Sequence, residues 1–257
     1  MLSIGLITYS NALPIALPLY GHKIRHTCRC LLGTPSEVYA KLKSGEVDAA
    51  IVSSGALVDA PSAIRPLGHI GIAAKGSVQS VCLFSERSPE LLHHPTFALP
   101  TASGTSSLLL KVLCHSFWGI EPHFISYSQE EGGETTCDGK LLIGDPCMRF
   151  AQQYSGITID LAEEWKRQTA LPFVFAQLAI NTANGVDPDK VIALFSETLK
   201  WSENHLDEIE KEAAEKLPFL NRQQISNYMN GLSYRLDSGF EEGLALFTQL
   251  AATVHKL

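Results

Sequence analysis

The sequence has no apolar run long enough to cross a bilayer. Even "LPFVFAQLAI" (171–180) is too short, and it carries Pro172 and Gln177. It is also short of positive charge, with 20 Lys and Arg against 27 Asp and Glu and a formal net charge of −7. That balance argues against a general nucleic-acid binder, which needs a basic surface. It leaves room for an anionic ligand, because the local field of a pocket can oppose the net charge. The opening "MLSIGLITYS" lacks a basic stretch and a long apolar stretch, so no signal peptide is expected and the cytoplasm is the default location. The six cysteines (28, 30, 82, 114, 137 and 147) lack the spacing of a disulfide framework and are expected to be reduced. In His26-Thr-Cys28-Arg-Cys30, alternate residues of a strand would share a face, as a metal site requires. No second Cys/His pair has matching spacing, so the stretch reads as a strand with small apolar thiols, and no metal is expected. G-x-S-x-G, H-E-x-x-H, G-x-G-x-x-G and the Walker loop are all missing.

What is present is a globular composition, with 257 residues, 45% hydrophobic and 18% charged, enough for one large domain or two modest ones. A strand at 3–8, an extended stretch near 23–31, a helix capped by Thr34 or Ser36 and ended by Gly45, and the buried strand "VDAAIVSS" form a first α/β unit. Further strands are expected at 67–74 and 78–85; the second has polar residues on both faces and reads as bordering something polar. A second α/β unit follows. It comprises "TFALP", the helix entered through "TASGTSS", "HFISY", an exposed acidic loop over 128–140, and "LLIGDPCM", a strand ending in a polar turn. Next comes a helix from Asp160, with Glu163 placed for a capping box. "LPFVFAQLAIN" is a long strand, and the chain from Asp187 onward reads as helical. Strands 78–85 and 172–180 bracket the second unit, as if the chain left one domain by the first and returned by the second. A ligand is then expected in the cleft, at the carboxyl ends of strands.

Four polar clusters interrupt or follow buried strands. They are Thr8-Tyr9-Ser10-Asn11, Ser53-Ser54, the group Thr101, Ser103, Thr105, Ser106 and Ser107, and Gly144-Asp145. Taken singly, such residues belong at turns and helix caps for local reasons. The hydroxyl-rich helix start carries more chemistry, because free N–H groups and the positive end of a helix dipole favour a carboxylate or phosphate. Glu163-Glu164 diverge on their helix, Arg149 is as well placed for the surface as for a substrate, and the nine histidines form no acid–base group. The residues alone indicate a two-domain α/β protein binding a small anionic molecule in a cleft, and leave catalysis open.

"ITYSNALP", "GTPSEVYAKLKSGEVDAAIVSS", "SVQSVCLFS", "TASGTSSLLLKVL", "LLIGD" and "DLAEEWKRQTALPFVFAQLA" resemble, in that order, the chorismate dehydratases of the futalosine route to menaquinone. The resemblance runs from about residue 3 to 180 and continues weakly through "YMNGLSYRL" and "GLALF"; its most specific block spans Asp160 to Ala176. It implies an α/β, two-lobed, type II periplasmic-binding-protein-like fold with a ligand cleft between the lobes and a helical C-terminal segment. The lobes are expected at 1–85 plus 177–257, and at 86–176. The implied reaction is a hydro-lyase step without cofactor, removing water from chorismate to give 3-[(1-carboxyvinyl)oxy]benzoate, with aromatisation as the driving force. The only partner implied is this small molecule, with no nucleic acid and no membrane.

By the resemblance, Asn11 and Ser80 are the catalytic residues. Ser103, Thr105 and Ser106 are expected to take a substrate carboxylate, with Ser53, Ser54 and Asp145 as further lining. Neither Asn11 nor Ser80 is a base at neutral pH, so the resemblance implies that the substrate's own enolpyruvyl carboxylate takes the proton. The enzyme would supply orientation and electrostatic stabilisation. The sequence departs from the family at Ser10, usually leucine, at Ala162 and Ala170, usually glycine, at Leu178, and at Pro146-Cys147-Met148. Two other readings compete: a sister enzyme on the same fold that forms 1,4-dihydroxy-6-naphthoate, and a non-catalytic binder of anionic solutes.

Overall fold

The computed structural model describes residues 1–129 and 136–254; of the acidic loop expected at 128–140, residues 130–135 lie outside the described residues. The chain begins with β1 (Ser3–Ile7), α1 (Leu13–Tyr20), β2 (Arg29–Gly33), α2 (Pro35–Ser44), β3 (Ala49–Ser53), a short α3 (Ser54–Leu57) and β4 (Ile64–Ala74). It continues through β5 (Val81–Ser85), β6 (Thr96–Pro100), α4 (Gly104–Val112), β7 (His123–Tyr127), β8 (Gly139–Ile143), α5 (Gly144–Ala151), β9 (Ile157–Asp160) and α6 (Leu161–Thr169). The last part is β10 (Phe173–Asn181), α7 (Pro188–Glu203), α8 (Leu206–Lys216), α9 (Arg222–Asn230), β11 (Leu232–Arg235) and α10 (Ser238–Val254).

The strands form two sheets. The first has the order β11-β4-β10-β3-β1-β2, and the second β7-β6-β8-β5-β9. In each, the strand–helix–strand units pair in parallel (β1 with β2 and β3; β6 with β7 and β8). Parallel strands buried on both faces read as continuous apolar runs, and every residue of β3 is buried. The connecting strands β10 and β5 run antiparallel to their neighbours.

The chain crosses between the sheets twice, after β4 and before β10. Strand β5 belongs to the second sheet, paired with β8 and β9, whereas its sequence position had grouped it with the first. All five of its residues are buried, Ser85 among them, and the other polar residues expected there, Gln79 and Ser80, lie just before it. Likewise β10 enters the first sheet from Phe173, a few residues before the expected boundary.

Asp160 organises the first crossing. One carboxylate oxygen caps α6 by accepting from the N–H groups of Ala162 and Glu163, at 3.0 and 3.2 Å. The other accepts from Ser77 Oγ (2.7 Å) and from the N–H groups of Val78 (2.8 Å) and Gln79 (2.6 Å). The expected capping box is thus replaced by a junction that fixes the segment leading to Ser80.

Aromatic packing flanks the second crossing. Trp165 of α6, Phe173 of β10 and Phe247 of α10 meet edge to face, with centroids 5.0–6.2 Å apart, the geometry aromatic pairs prefer.

Three further departures have physical causes. "GDPCM" forms the start of α5 rather than a turn, because a proline in the first helical turn lacks only an N–H that would have been unpaired. The C-terminal region is interrupted by β11, which pairs antiparallel with β4. Finally, Ala170 ends α6 with φ of 61°, in the left-handed region where glycine is favoured. Ala170→Gly is therefore expected to raise stability by about 1 kcal/mol, read as a higher denaturation midpoint with unchanged slope. A lower midpoint would show that the Ala170 methyl group makes compensating contacts.

Candidate functional site

A cavity of about 60 Å³ lies between the sheets, bordered by Tyr9 and Asn11 after β1, Ser53 at the end of β3, Ser103, Thr105 and Ser106 before and within α4, and Gly144 after β8. These are carboxyl ends of strands, where open α/β sheets place their ligands. The rest of the lining is apolar, from Ile72, Val78, Val81, Ile143 and Phe175 among others. Such a volume holds about two waters, and a larger ligand requires the lobes to part.

Asn11 is presented by a short 3-10 turn, Ser10–Ala12. Its backbone carbonyl accepts from the Tyr234 hydroxyl at 2.9 Å, and the preceding residue is held from the opposite lobe. There Ser10 N–H and Ser10 Oγ each donate to the Asp145 carboxylate, at 3.0 Å. Burial pushes the Asp145 carboxyl above its ordinary range, opposed by the Ser10 hydrogen bonds and by the charges of Lys216 and Arg149. Asp145 thus sits beside the cavity as a clamp on the Asn11 turn, and it is not among the lining residues. The departure at Ser10 acquires a reason here, since leucine would keep the N–H contact and lose the one made by the hydroxyl. Gly144, with φ of 64°, has the Tyr9 ring where a Cβ would stand, 2.9 Å away, so the lobes meet there through a residue without a side chain.

The side-chain oxygen of Asn11 is buried and has no hydrogen-bond partner, although its residue borders the cavity. Ser80, with no exposed surface, lies directly behind the lining. Its neighbours Val78 and Val81 border the cavity, and its carbonyl accepts from Gly144 N–H at 2.7 Å. The Ser80 hydroxyl is also unpartnered, and so is the Tyr228 hydroxyl that lies against it, 1% exposed. Burial raises the Tyr228 pKa, which keeps the phenol a neutral donor, while Ser80 acts in the opposite direction. Buried polar atoms are normally paired, so orphaned groups at a cavity mark where a ligand is to bind.

The hydroxyl-rich helix start is organised differently from its expected role. Thr105 Oγ1 donates to the Phe175 carbonyl and accepts from Gly55 N–H, both at 2.9 Å, and is hydrogen-bonded to Ser53 Oγ. The N–H groups of Thr105 and Ser106 are taken by Ser53 Oγ (2.9 Å) and Ser103 Oγ (3.1 Å). In this arrangement Ser53 and Thr105 join the lobes, and Ser106 is left as the cavity hydroxyl of this group. Ser54 does not border the cavity and accepts from Gln177 Nε2 at 3.4 Å. Sequence reasoning missed Tyr228 and Tyr234, both within "YMNGLSYRL", because that stretch reads as helix and carries no catalytic motif. No aspartate, glutamate, histidine, lysine, arginine or cysteine borders the cavity among the described residues. Nor, among them, is any group of three or more His, Cys, Asp or Glu arranged for a metal ion.

Two α/β lobes joined by two crossings, with the ligand cavity at their facing strand ends, define a periplasmic-binding-protein-like fold. The periplasmic aliphatic sulphonate binding protein from Escherichia coli shares it with a TM-score of 0.64 at 16% identity, covering 99% of this chain and 86% of that one. A protein from Archaeoglobus fulgidus superposes with a TM-score of 0.79 at 15% identity, over 99% and 98% of the two chains. The chain belongs to the menaquinone biosynthesis family, whose sequence model matches residues 2–253. It is 29% identical to the chorismate dehydratase of Thermus thermophilus, over 96% of this chain and 93% of that protein. No helix among the described residues is long and apolar enough to cross a membrane.

Proposed function

We propose that this protein is a hydro-lyase that eliminates water from chorismate to give 3-[(1-carboxyvinyl)oxy]benzoate. We draw its lobes at the sheet boundaries, 1–76 with 171–254, and 77–170. Family membership supports the substrate, and one observation about the cavity supports the mechanism: its lining holds the buried, unpaired oxygen of Asn11, with the Ser80 hydroxyl behind it, and among the described residues no carboxylate, imidazole or amine. A site without a protein base suits a reaction in which the substrate brings its own. The enolpyruvyl carboxylate takes the ring proton beside the ether, the neighbouring hydroxyl leaves as water with that proton, and the ring becomes aromatic.

The protein's share is then to hold one conformer and to stabilise the charge that develops. An unpaired amide oxygen needs a donor, and the single hydroxyl of chorismate is the group about to leave. Asn11 Oδ1 accepting that hydroxyl's hydrogen would turn an oxygen lone pair toward the incoming proton. The Ser80 hydroxyl, fed by the Tyr228 O–H, would keep its own proton free for the substrate, since chained donors strengthen one another. With no cationic side chain at the cavity among the described residues, the carboxylates would rely on hydroxyls such as Ser106 and on the N-terminal dipole of α4.

The test is to incubate the purified protein with chorismate and follow product by mass spectrometry. Loss of one water is expected. Tight binding with unchanged chorismate would instead mark a solute-binding protein. Turnover of a cyclic futalosine-derived substrate, and not of chorismate, would mark the sister enzyme. Tyr228→Phe probes the hydroxyl chain. It removes one neutral hydroxyl whose neighbour is the Ser80 hydroxyl, so stability should stay within about 1 kcal/mol. The value of kcat should fall about tenfold at nearly constant KM, as for a lost group that acts only in the transition state. Unchanged kcat would remove Tyr228 from the machinery.

A further inference from the structure

A second chemically poised group lies away from the cavity. Cys28 and Cys30 stand at the start of β2, the edge strand of the first sheet, where Arg29 pairs with Ser3. The cavity lies at the other end of β1, beyond Ile7. Cys28 Sγ is 2.9 Å from His26 Nδ1, and His26 Nε2 is 2.8 Å from the Leu19 carbonyl oxygen. A carbonyl oxygen only accepts, so Nε2 carries the hydrogen and Nδ1 presents its lone pair to the thiol. The His22 ring stacks on His26 with centroids 5.2 Å apart and steadies it. Cys30 follows two residues on, and both residues are half-buried, so reagents have access. The Cys30 side chain, with the His26 imidazole, holds the Cys28 thiol below its ordinary range against the opposing effect of burial. Cys30 itself is held high, as expected of the partner that keeps its proton.

We propose that Cys28 and Cys30 form a modification site for hydroperoxides and soft carbon electrophiles, with His26 as the base for Cys28 and Cys30 as the resolving thiol. The Cys28 proton passes to His26 Nδ1, and the thiolate attacks the peroxide oxygen, breaking the O–O bond. Cys28 becomes a sulfenic acid, and the departing alkoxide takes the imidazolium proton to leave as an alcohol. The Cys30 sulfur then displaces water from the sulfenic acid and forms the disulfide. In total two thiols and one hydroperoxide give one disulfide, one alcohol and one water. Residues i and i+2 on an extended segment face the same side, as the closure requires.

The sequence supplies a convenient readout, because Arg29 separates the two cysteines. Tryptic cleavage after Arg29 leaves peptides 26–29 and 30–41 joined only when the disulfide is present. On the native protein at neutral pH, iodoacetamide is expected to label Cys28 about tenfold faster than Cys137, the other half-buried cysteine. His26→Gln should bring that rate down to the level of Cys137. Hydrogen peroxide should yield the joined peptides in the wild type. In Cys30→Ser it should yield a sulfenic acid on Cys28 that dimedone traps. Labelling of Cys28 no faster than Cys137, or no joined peptides after peroxide, overturns the proposal. If His26→Gln unfolds, the peroxide result with Cys30→Ser decides alone.

Discussion

Asp160→Ala is expected to lower stability by about 3 kcal/mol, combining a lost helix cap with lost hydrogen bonds to a charged acceptor. In a chain of this size that corresponds to a fall in Tm of about 10 °C. The loss is large because one carboxylate serves two structures: five donors converge on it, two from the first turn of α6 and three from residues 77–79. Without it the α6 cap and the first crossing loosen together. Ser80 directly follows that crossing, so kcat should fall more steeply than stability alone accounts for at temperatures where the variant is folded. Asp160→Asn retains one oxygen acceptor and is expected to recover roughly half of the stability. Denaturant unfolding checks both; a loss below about 1 kcal/mol for the alanine variant would mean that other contacts hold 77–79 in place.

Asn11→Ala is expected to leave the fold intact and to lower kcat by about 10²–10³, the range for removing one preorganised polar contact to a transition state. Stability should hold because the lost side-chain oxygen has no partner in the protein, while the backbone contact to Tyr234 is kept. The fall should appear in kcat and kcat/KM alike, since the contact is proposed to orient the leaving hydroxyl rather than to anchor the substrate. A rise in KM with unchanged kcat would make Asn11 a binding residue and place the chemistry elsewhere. Full activity would dissolve the site assignment.

Much of the fold was legible because its signals are local. Thr34 caps α2 in a full capping box with Glu37, and Gly45 ends the helix with φ of 80°, as those residue types at those places imply. The alternation of strands and helices also gave two parallel-sheet units. What escaped were elements whose local signals mislead. Helix α1 is buried on almost every side and contains Pro14 and Pro18, so it has neither amphipathic period nor freedom from helix breakers, and tertiary packing decides it. Strand β11 is only four residues long and follows three helices, so nothing in "LSYR" announces a strand until β4 supplies the partner.

The site divides along the same line. Asn11 and Ser80 came from a motif, and both oxygens prove to be orphaned in the interior. Tyr228 and Tyr234 reach the same region from α9 and β11, more than two hundred residues away from Asn11 in sequence, and only the folded chain brings them together. Thr105 shows the converse. Its hydroxyl looked free for a ligand in sequence, yet it is fully engaged between the lobes.

The Ser10–Asp145 pair also has a bearing on timing. Two hydrogen bonds reach from one lobe to the other beside a cavity too small for chorismate, so they must break for each substrate that enters and each product that leaves. A clasp that favours the shut form taxes apparent affinity by the fraction of time the lobes are open, and it slows escape once the aromatic product has formed. Through its hydroxyl, Ser10 would therefore contribute, beside the Ser53–Thr105 contacts, to the residence time of the product.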